Sequence, residues 1–169
     1  MTRAGDLIYL DNAATSFPKP KSVVEAVQHA MLQLAAAGRG SHRLAEQADR
    51  VVAETREQLG RLFLVDSSRF IFCQSGTDAL NLVLLGYLNP GDHVVVTQAG
   101  HNSVLRPLHD LVVNRQLKVS CVSCDELGQV QAEDIMAEVK DETRLVILTH
   151  VSNVTGAIEP VEEIARILG

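Results

Sequence analysis

Short apolar runs alternate with helix-length amphipathic segments over the second half of the chain. Continuous apolar runs are typical of strands buried on both faces, and their alternation with helices indicates a parallel sheet. The pattern therefore predicts an α/β domain with a mainly parallel sheet. The predicted strands are Phe70–Cys73, His93–Thr97, Lys118–Val122 and Leu145–Thr149. The predicted helices of this half are Thr77–Leu88, a segment that ends near Arg115, Asp134–Lys140, and a last helix that Pro160 opens at its first position.

The first part of the chain predicts a loop followed by two helices. Ile8–Leu10 is predicted to form a short strand before a proline-containing loop. Ser22 is predicted to cap the first helix, with Glu25 as its capping-box partner and an apolar stripe that begins at Val23. A second long helix is predicted over about Arg43–Leu62, beyond a glycine-containing break.

The turn Ser75-Gly76-Thr77 joins the first predicted strand to its helix. Ser75 stands at an N-cap position, and Asp78 three residues later completes a capping-box pair. Gly76 leaves room for a ligand to approach the backbone. The unpaired N–H groups and the positive end of the helix dipole point into this turn, which makes it a candidate anion site. Taken alone, the stretch is more often an ordinary capped turn than a phosphate site.

Composition narrows the classes of protein. The length of 169 residues fits one globular domain with a substantial core, and the formal net charge of −6 argues against a nucleic-acid surface. No apolar run is long enough to span a membrane, and MTRAGDLIYLDNAATS lacks the apolar core of a secretory signal. Three cysteines, an odd number, favour a reducing compartment, so we expect a cytoplasmic protein.

Hydrogen-bonding side chains gather after three of the predicted strands. In open parallel sheets, ligands bind beyond the carboxyl ends of the strands, so together these groups predict a binding site. A helix N-terminus with a threonine hydroxyl suits phosphate, a histidine can stack on an aromatic ligand or move a proton, and an asparagine can donate to an oxygen. The combination suits a phosphorylated aromatic cofactor. The groups are Ser75, Gly76 and Thr77, then His101 and Asn102, then His150, Ser152 and Asn153.

Other candidate sites are weaker, and each residue above also has a purely structural explanation. His101 could cap the helix that follows it, and Asn153 could simply make a turn. Cys121 and Cys124 form a CxxC pattern that straddles a strand end without a second pair, so a redox or metal role is the less favoured reading, and no metal site is predicted. The acidic cluster Glu159, Glu162 and Glu163 is expected to complement the dipole of the last helix.

Six segments resemble the cysteine desulfurases, which are pyridoxal-phosphate enzymes of the class V aminotransferase family. The resemblance extends over nearly the whole chain, in the order of the family. It implies the large domain of the fold type I PLP-dependent transferases, three-layer α/β/α, here incomplete after about four strands. Selenocysteine lyases and other class V aminotransferases look similar. The segments are YLDNAATSFPKP, GRGSHRLAEQA, SGTDALNLVL, NPGDHVVVT, GHNSVLRP and THVSNVTGAIEP.

The resemblance also implies roles for individual residues. Gly76 and Thr77 match the turn that holds the cofactor phosphate. His101 matches the catalytic histidine that stacks over the pyridine ring and assists proton transfer. Asn153 matches the asparagine near the phenolic oxygen of the cofactor and the carboxylate of the substrate. Two further positions, Ala13 and His42, match loop positions that line the substrate side.

The sequence departs from the family pattern. Gly100 stands where many relatives have an acidic residue. The aspartate that pairs with the pyridine nitrogen, the Schiff-base lysine, the persulfide-forming cysteine and the carboxylate-binding arginine come later in the family than residue 169. We therefore expect this chain to be the N-terminal half of a desulfurase and to be inactive by itself. The alternative function is that of a catalytically inactive fragment or of a partner module of a split enzyme.

The predicted organisation is a single partial domain over residues 1–169. Residues 1–20 form a loop segment, residues 21–64 form helices, and residues 65–169 form the N-terminal part of the cofactor-binding domain. By resemblance, the expected substrate is cysteine, and the expected partners are a sulfur acceptor protein, as in iron–sulfur cluster assembly, and a second copy of the chain in a homodimer. Neither nucleic acid nor a membrane is expected as a partner.

Overall fold

A computed structural model describes residues 8–169 of the chain. It divides into two compact units, Met1–Phe72 and Cys73–Gly169, and each is described by itself. Leu7 and the residues before it lie outside the described part, so the predicted loop segment is seen only from Ile8 onward. No helix within residues 8–169 is both long enough and apolar enough to cross a membrane.

The second unit is built on a three-stranded parallel sheet. Its strands are β1 (His93–Thr97), β2 (Lys118–Val122) and β3 (Thr143–Ile147), in the order β2-β1-β3. Every residue of β1 is buried, as its continuous apolar run predicts. β1 and β2 have the predicted bounds, whereas β3 begins and ends two residues earlier than the predicted Leu145–Thr149.

Helices cover both faces of this sheet. α3 (Gly76–Tyr87) and α4 (Asn102–Arg115) contribute to one apolar cluster, while α5 (Ala132–Glu138) and α6 (Val161–Leu168) contribute to another. Successive side chains of a strand point to opposite faces, and β1 alternates between the two clusters accordingly. The result is the predicted three-layer α/β/α arrangement. The first cluster holds Leu84, Leu88, Val94, Val96, Val104, Leu108, Leu111 and Leu117. The second holds Val95, Val122, Val130, Ala132, Ile135 and Ile164.

His93 is a polar residue inside the sheet, with only 1% of its surface exposed. Its Nδ1 lies 2.8 Å from the hydroxyl of Thr143 in β3, and its Nε2 lies 3.1 Å from the hydroxyl of Ser120 in β2. The imidazole therefore joins all three strands. Burial lowers the pKa of His93 below its ordinary value, because a charged imidazolium would lose its hydration there, and the positive charge of Lys140 acts in the same direction.

The prediction of a buried strand at Phe70–Cys73 is wrong. These residues form no strand in the structure, and 72% of the surface of Ile71 is exposed. Within the described chain, no neighbouring strand pairs with this run, and a strand needs such a partner to satisfy its backbone groups. The sheet therefore has three strands instead of the expected four.

The first unit contains α1 (Lys21–Gln33) and α2 (Arg43–Phe63), followed by a single 3-10 turn. The predicted capping box of Ser22 is wrong, because the helical hydrogen bonds of α1 already begin at the carbonyl of Pro20. Ser22 is thus inside the first turn, and Glu25 pairs with Lys21 at 3.2 Å instead. No residue of α1 is buried, so its predicted apolar stripe is exposed.

The end of α2 depends on a close approach of the chain at Gly60. The backbone N–H of Val65 donates to the carbonyl of Gly60 at 3.0 Å, and Leu64 adopts a left-handed conformation with φ of 56°. A Cβ on Gly60 would lie 2.9 Å from the carbonyl oxygen of Val65. Only glycine fits this position without a shift of the backbone.

The predicted strand at Ile8–Leu10 is also absent, and the segment around it is an irregular loop. The hydroxyl of Tyr9 donates to the carbonyl of Thr15 at 2.9 Å, and the rings of Tyr9 and Phe17 meet edge to face with centroids 5.5 Å apart. Side-chain contacts of this kind shape a loop in place of a strand ladder.

Candidate functional site

The carboxyl edge of the sheet is formed by the ends of neighbouring parallel strands. Chain segments that follow β1 and β3 leave the sheet at this same edge. His101 lies four residues beyond Thr97, the end of β1, and Asn153 lies six residues beyond Ile147, the end of β3. The structure thus brings the segments that carry these two predicted residues to one edge. Gly76 and Thr77 open α3 in the same unit, although no strand leads into them.

The N-terminus of α3 has the predicted cap. The hydroxyl of Ser75 accepts a hydrogen bond from the backbone N–H of Asp78 at 3.1 Å. In return, the carboxylate of Asp78 accepts from the N–H of Gln74 at 3.3 Å, one residue before the N-cap. The capping pair is therefore confirmed, with its second bond displaced by one residue from the standard capping box.

The N–H groups of Gly76 and Thr77 are free to bind a ligand. A helix provides no internal acceptor for its first N–H groups, and none is found for these two among residues 8–169. A Cβ on Gly76 would meet no atom within 4 Å, so the protein itself does not require glycine there. Open space beside free N–H groups at the positive end of a twelve-residue helix fits a phosphate group.

His101 is the N-cap of α4. Its Nδ1 accepts a hydrogen bond from the backbone N–H of Ser103 at 3.1 Å and lies 2.7 Å from the hydroxyl of the same residue. The preceding turn is tight, since the N–H of Gly100 donates to the carbonyl of Thr97 at 3.0 Å. A Cβ on Gly100 would lie 3.0 Å from that carbonyl oxygen, so a side chain at this position requires the turn to shift slightly.

Asn153 lies near the tip of a short hairpin. The N–H of Glu159 donates to the carbonyl of His150 at 2.9 Å, and the N–H of Ser152 donates to the carbonyl of Ala157 at 2.8 Å. The hydroxyl of Ser152 accepts from the two backbone N–H groups that follow Asn153. The side chain of Asn153 is exposed. The hairpin therefore holds the backbone at Asn153 while its amide remains available.

A buried carboxylate fastens this hairpin to its neighbour. Glu159 is only 5% exposed, and its Oε2 accepts from the backbone N–H of Val130 at 3.0 Å. The amide of Gln129 also donates to the carbonyl of Ile158 at 3.4 Å. Glu159, predicted to complement the dipole of the last helix, thus also serves as a buried acceptor between two segments. Glu162 and Glu163 do lie in the first turn of α6, as predicted.

Two predicted substrate-side residues lie in the first unit. Ala13 is exposed in a turn in which the N–H of Ala14 donates to the carbonyl of Asp11 at 3.2 Å. His42 is the N-cap of α2, and its Nδ1 accepts from the backbone N–H of Ala45 at 3.3 Å. His42 therefore has a local structural role, which the resemblance alone did not reveal.

The CxxC pattern does not form a compact pair. Val122 packs into the cluster on the α5–α6 face, so its strand neighbour Cys121 projects to the other face, where it is exposed. Cys124 lies beyond the strand and packs against the α5–α6 cluster. The two thiols thus lie on opposite sides of the sheet. Sequence reasoning gave this pair more weight than His93, Ser103 or Glu159, whose partners are visible only in the structure.

Comparisons with known proteins agree with this fold. The family model described as Aminotransferase class-V matches residues 8–168. A probable cysteine desulfurase of Pyrococcus abyssi is 33% identical over 167 residues, and one of Methanothermobacter thermautotrophicus is 36% identical over 164 residues. Each match covers 96% of this chain, and 41% and 40% of the respective relatives. The chain thus spans about 40% of the length of these relatives.

A solved structure shows the same likeness. The apo structure of a cysteine desulfurase from Thermococcus onnurineus NA1 superposes with a TM-score of 0.86 at 35% sequence identity. The superposition covers 95% of this chain and 40% of that one. The described residues are therefore similar in fold to the corresponding part of that structure.

Proposed function

The chain belongs to the aminotransferase class-V family, and on this premise we propose that it supplies the N-terminal portion of a pyridoxal-phosphate-dependent cysteine desulfurase. Such an enzyme converts cysteine to alanine and passes the sulfur on as a protein-bound persulfide. One observation carries the proposal: the open N-terminus of α3 falls on the turn that the resemblance assigns to the cofactor phosphate.

The phosphate would be held by the backbone N–H groups of Gly76 and Thr77 and by the hydroxyl of Thr77. The N–H groups are free, and the space beside Gly76 is open. Hydrogen bonds from neutral donors to a charged acceptor are stronger than those between neutral groups. Ser75 acts through the helix, because its cap holds the first turn in the conformation that points these donors outward.

His101 and Asn153 would contact the ring end of the cofactor. The imidazole of His101 stacks on the pyridine ring in this proposal, and the amide of Asn153 donates to the phenolic oxygen and to the substrate carboxylate. When bound, the cofactor supplies an electron sink for negative charge that develops on the substrate carbon. Ala13 and His42 are proposed to line the substrate side. A homodimer and a sulfur acceptor protein are the proposed partners.

Binding of pyridoxal phosphate tests the phosphate site. We expect the cofactor to bind the purified chain saturably, as monitored by the absorbance of the cofactor. Inorganic phosphate should compete with this binding. Thr77→Val should weaken binding by roughly tenfold or more, the loss of one hydrogen bond to a charged group. Thr55→Val, an exposed position on α2, is the matched control. Unsaturable binding, or equal affinity in both variants, would contradict the proposed site.

A second function has its own supporting observation. The apolar side chains of Ile71 and Phe72 are 72% and 49% exposed in the first unit, and the edge strand β3 of the second unit pairs on one side only within the described chain. Exposed apolar runs and unpaired edges favour association, so the chain could act as a partner module of a split enzyme. Alanine release from cysteine by the cofactor-loaded chain alone would contradict the module, whereas alanine release that appears only when a separate second chain associates with it would support the module. A parallel assay with selenocysteine separates desulfurase from lyase activity.

A further inference from the structure

The hydrogen bond at the N-terminus of α4 determines which nitrogen of His101 carries a proton. A backbone N–H can only donate, and the N–H of Ser103 donates to Nδ1 at 3.1 Å. Nδ1 must therefore present a lone pair while this bond exists. In a neutral imidazole, the other nitrogen then carries the hydrogen, so the N-cap is compatible with the Nε2–H tautomer only.

The hydroxyl of Ser103 strengthens this arrangement. It lies 2.7 Å from the same Nδ1, within the usual range of a hydrogen bond. A hydroxyl can donate to Nδ1 in the neutral ring or accept from it in the imidazolium, whereas the backbone N–H can do only the former. A hydrogen on Nδ1 would therefore break the cap bond to the backbone. In the Nε2–H tautomer, both groups of Ser103 can donate to Nδ1.

We infer that Ser103 is a positioning residue that holds His101 as the Nε2–H tautomer, so that His101 meets its ligand as a hydrogen-bond donor. This inference rests on the proposed function only for the identity of that ligand. Among residues 8–169, Nε2 has no hydrogen-bond partner and 101 is an exposed position, so the donor is available. His101 would then donate a hydrogen bond to its ligand from Nε2.

Nuclear magnetic resonance on the cofactor-free chain, labelled with ¹⁵N, tests the tautomer directly. We expect a pyridine-like Nδ1 and a pyrrole-like Nε2 for His101, with a ¹⁵N–¹⁵N coupling across the hydrogen bond to the backbone nitrogen of Ser103. The exposed rings of His29 and His109 serve as internal references for unrestrained imidazole. His101→Asn assigns the signal and keeps a residue that caps helices well. An Nδ1–H tautomer, or no coupling with shifts equal to those of His29, would overturn the inference.

Two substitutions separate the groups of Ser103. Ser103→Ala keeps the backbone N–H, so the coupling should persist. Ser103→Pro removes that N–H at a first-turn position where proline is tolerated, and His101 should relax to the tautomer mixture of His29. Unchanged signals of the buried His93 verify that the variant folds. Unchanged His101 shifts in a folded Ser103→Pro variant contradict the inference, and if that variant does not fold, the coupling in the natural chain decides.

The inference and the proposed function can fail separately. The tautomer and the coupling are measured without pyridoxal phosphate. An intact coupling in a chain that does not bind the cofactor would refute the proposed function alone. Cofactor binding to a chain in which His101 lacks the coupling would refute the inference alone.

Discussion

The carboxylate of Glu159 accepts a hydrogen bond from the backbone N–H of Val130 at 3.0 Å, inside the second unit. This bond ties the hairpin that carries Asn153 to the segment that follows β2. Val130 is buried as well, so its N–H loses a buried acceptor if the carboxylate is removed.

Glu159→Ala should therefore lower the free energy of unfolding by about 1–3 kcal/mol, as expected when a buried donor loses its acceptor. Glu159→Gln should recover much of the loss, since its amide oxygen can accept the same bond. Urea unfolding measures the difference. Glu163→Ala, an exposed position in α6, is the matched control and should change little. Equal stability of the Glu159→Ala and Glu163→Ala variants would contradict the structural role.

The cap of α3 should affect both stability and cofactor binding. Ser75→Ala removes the acceptor of the Asp78 N–H and should destabilise the chain by about 1 kcal/mol. The affinity for pyridoxal phosphate should fall as well, because the first turn that presents its N–H groups frays. Ser75→Thr should keep most of both properties. Thermal unfolding and cofactor titration measure these two properties. An unchanged affinity in a destabilised Ser75→Ala variant would show that the cap does not contribute to phosphate binding.

His93 should make stability depend on pH. Its folded pKa lies below the ordinary value of 6.5, so the unfolded chain binds this proton more tightly than the folded chain. Stability is full above about pH 6.5 and is lost as the pH falls from there through the folded pKa. His93→Gln should remove this step from the plot of unfolding free energy against pH. His29→Gln, at an exposed position, should leave it. A step of equal size in both variants would show that His93 is not its source.

Two glycines should respond in opposite directions to alanine. Gly60→Ala places a Cβ 2.9 Å from the carbonyl oxygen of Val65, and overpacking of this kind destabilises by about 1–3 kcal/mol. Gly86 lies inside α3, and a Cβ there would meet no neighbouring atom within 4 Å, so Gly86→Ala should stabilise by roughly 0.5–1 kcal/mol. Denaturant unfolding of the two variants gives the signs, and a stabilised Gly60→Ala variant would refute the close approach.

The lysines of the second unit are far from the carboxyl edge of the sheet. Lys118 begins β2 and pairs with Glu142 at 3.9 Å, and Lys140 precedes β3, so both lie at the amino edge. Reduction of the cofactor-bound chain with borohydride, followed by digestion, should therefore give no stoichiometric lysine adduct. The same outcome is expected for Lys19 and Lys21, because by the resemblance neither of them matches the Schiff-base lysine. A defined adduct on one lysine would contradict this expectation.

Much of the fold of the second unit could be predicted from local pattern. Neighbouring residues alone determine the apolar runs of β1 and β2 and the cap of α3. The observed bounds of these elements therefore agree closely with the predicted ones. The run at Phe70–Cys73 has the same apolar character, yet it is not a strand. Strand formation depends on a distant partner, which a single run does not reveal.

The candidate site was likewise only partly predictable from the sequence. The residues at Gly76, His101 and Asn153 could be proposed from their places after predicted strands and from the resemblance. The residues that hold these side chains in place could not be predicted, because Ser103 acts through the Nδ1 of His101 and Glu159 accepts from a backbone group 29 residues away.

The central position of β1 has a consequence for how this chain can diverge. Its five residues are buried and hydrogen-bonded to strands on both sides, so its amide hydrogens are expected to be among the slowest of the second unit to exchange with solvent. The tip of the hairpin around Asn153, in contrast, is exposed and is held by short-range bonds to the hydroxyl of Ser152. Substitutions at its tip can therefore accumulate without loss of the framework, and changes of ligand preference in descendants of this protein are expected to arise there first.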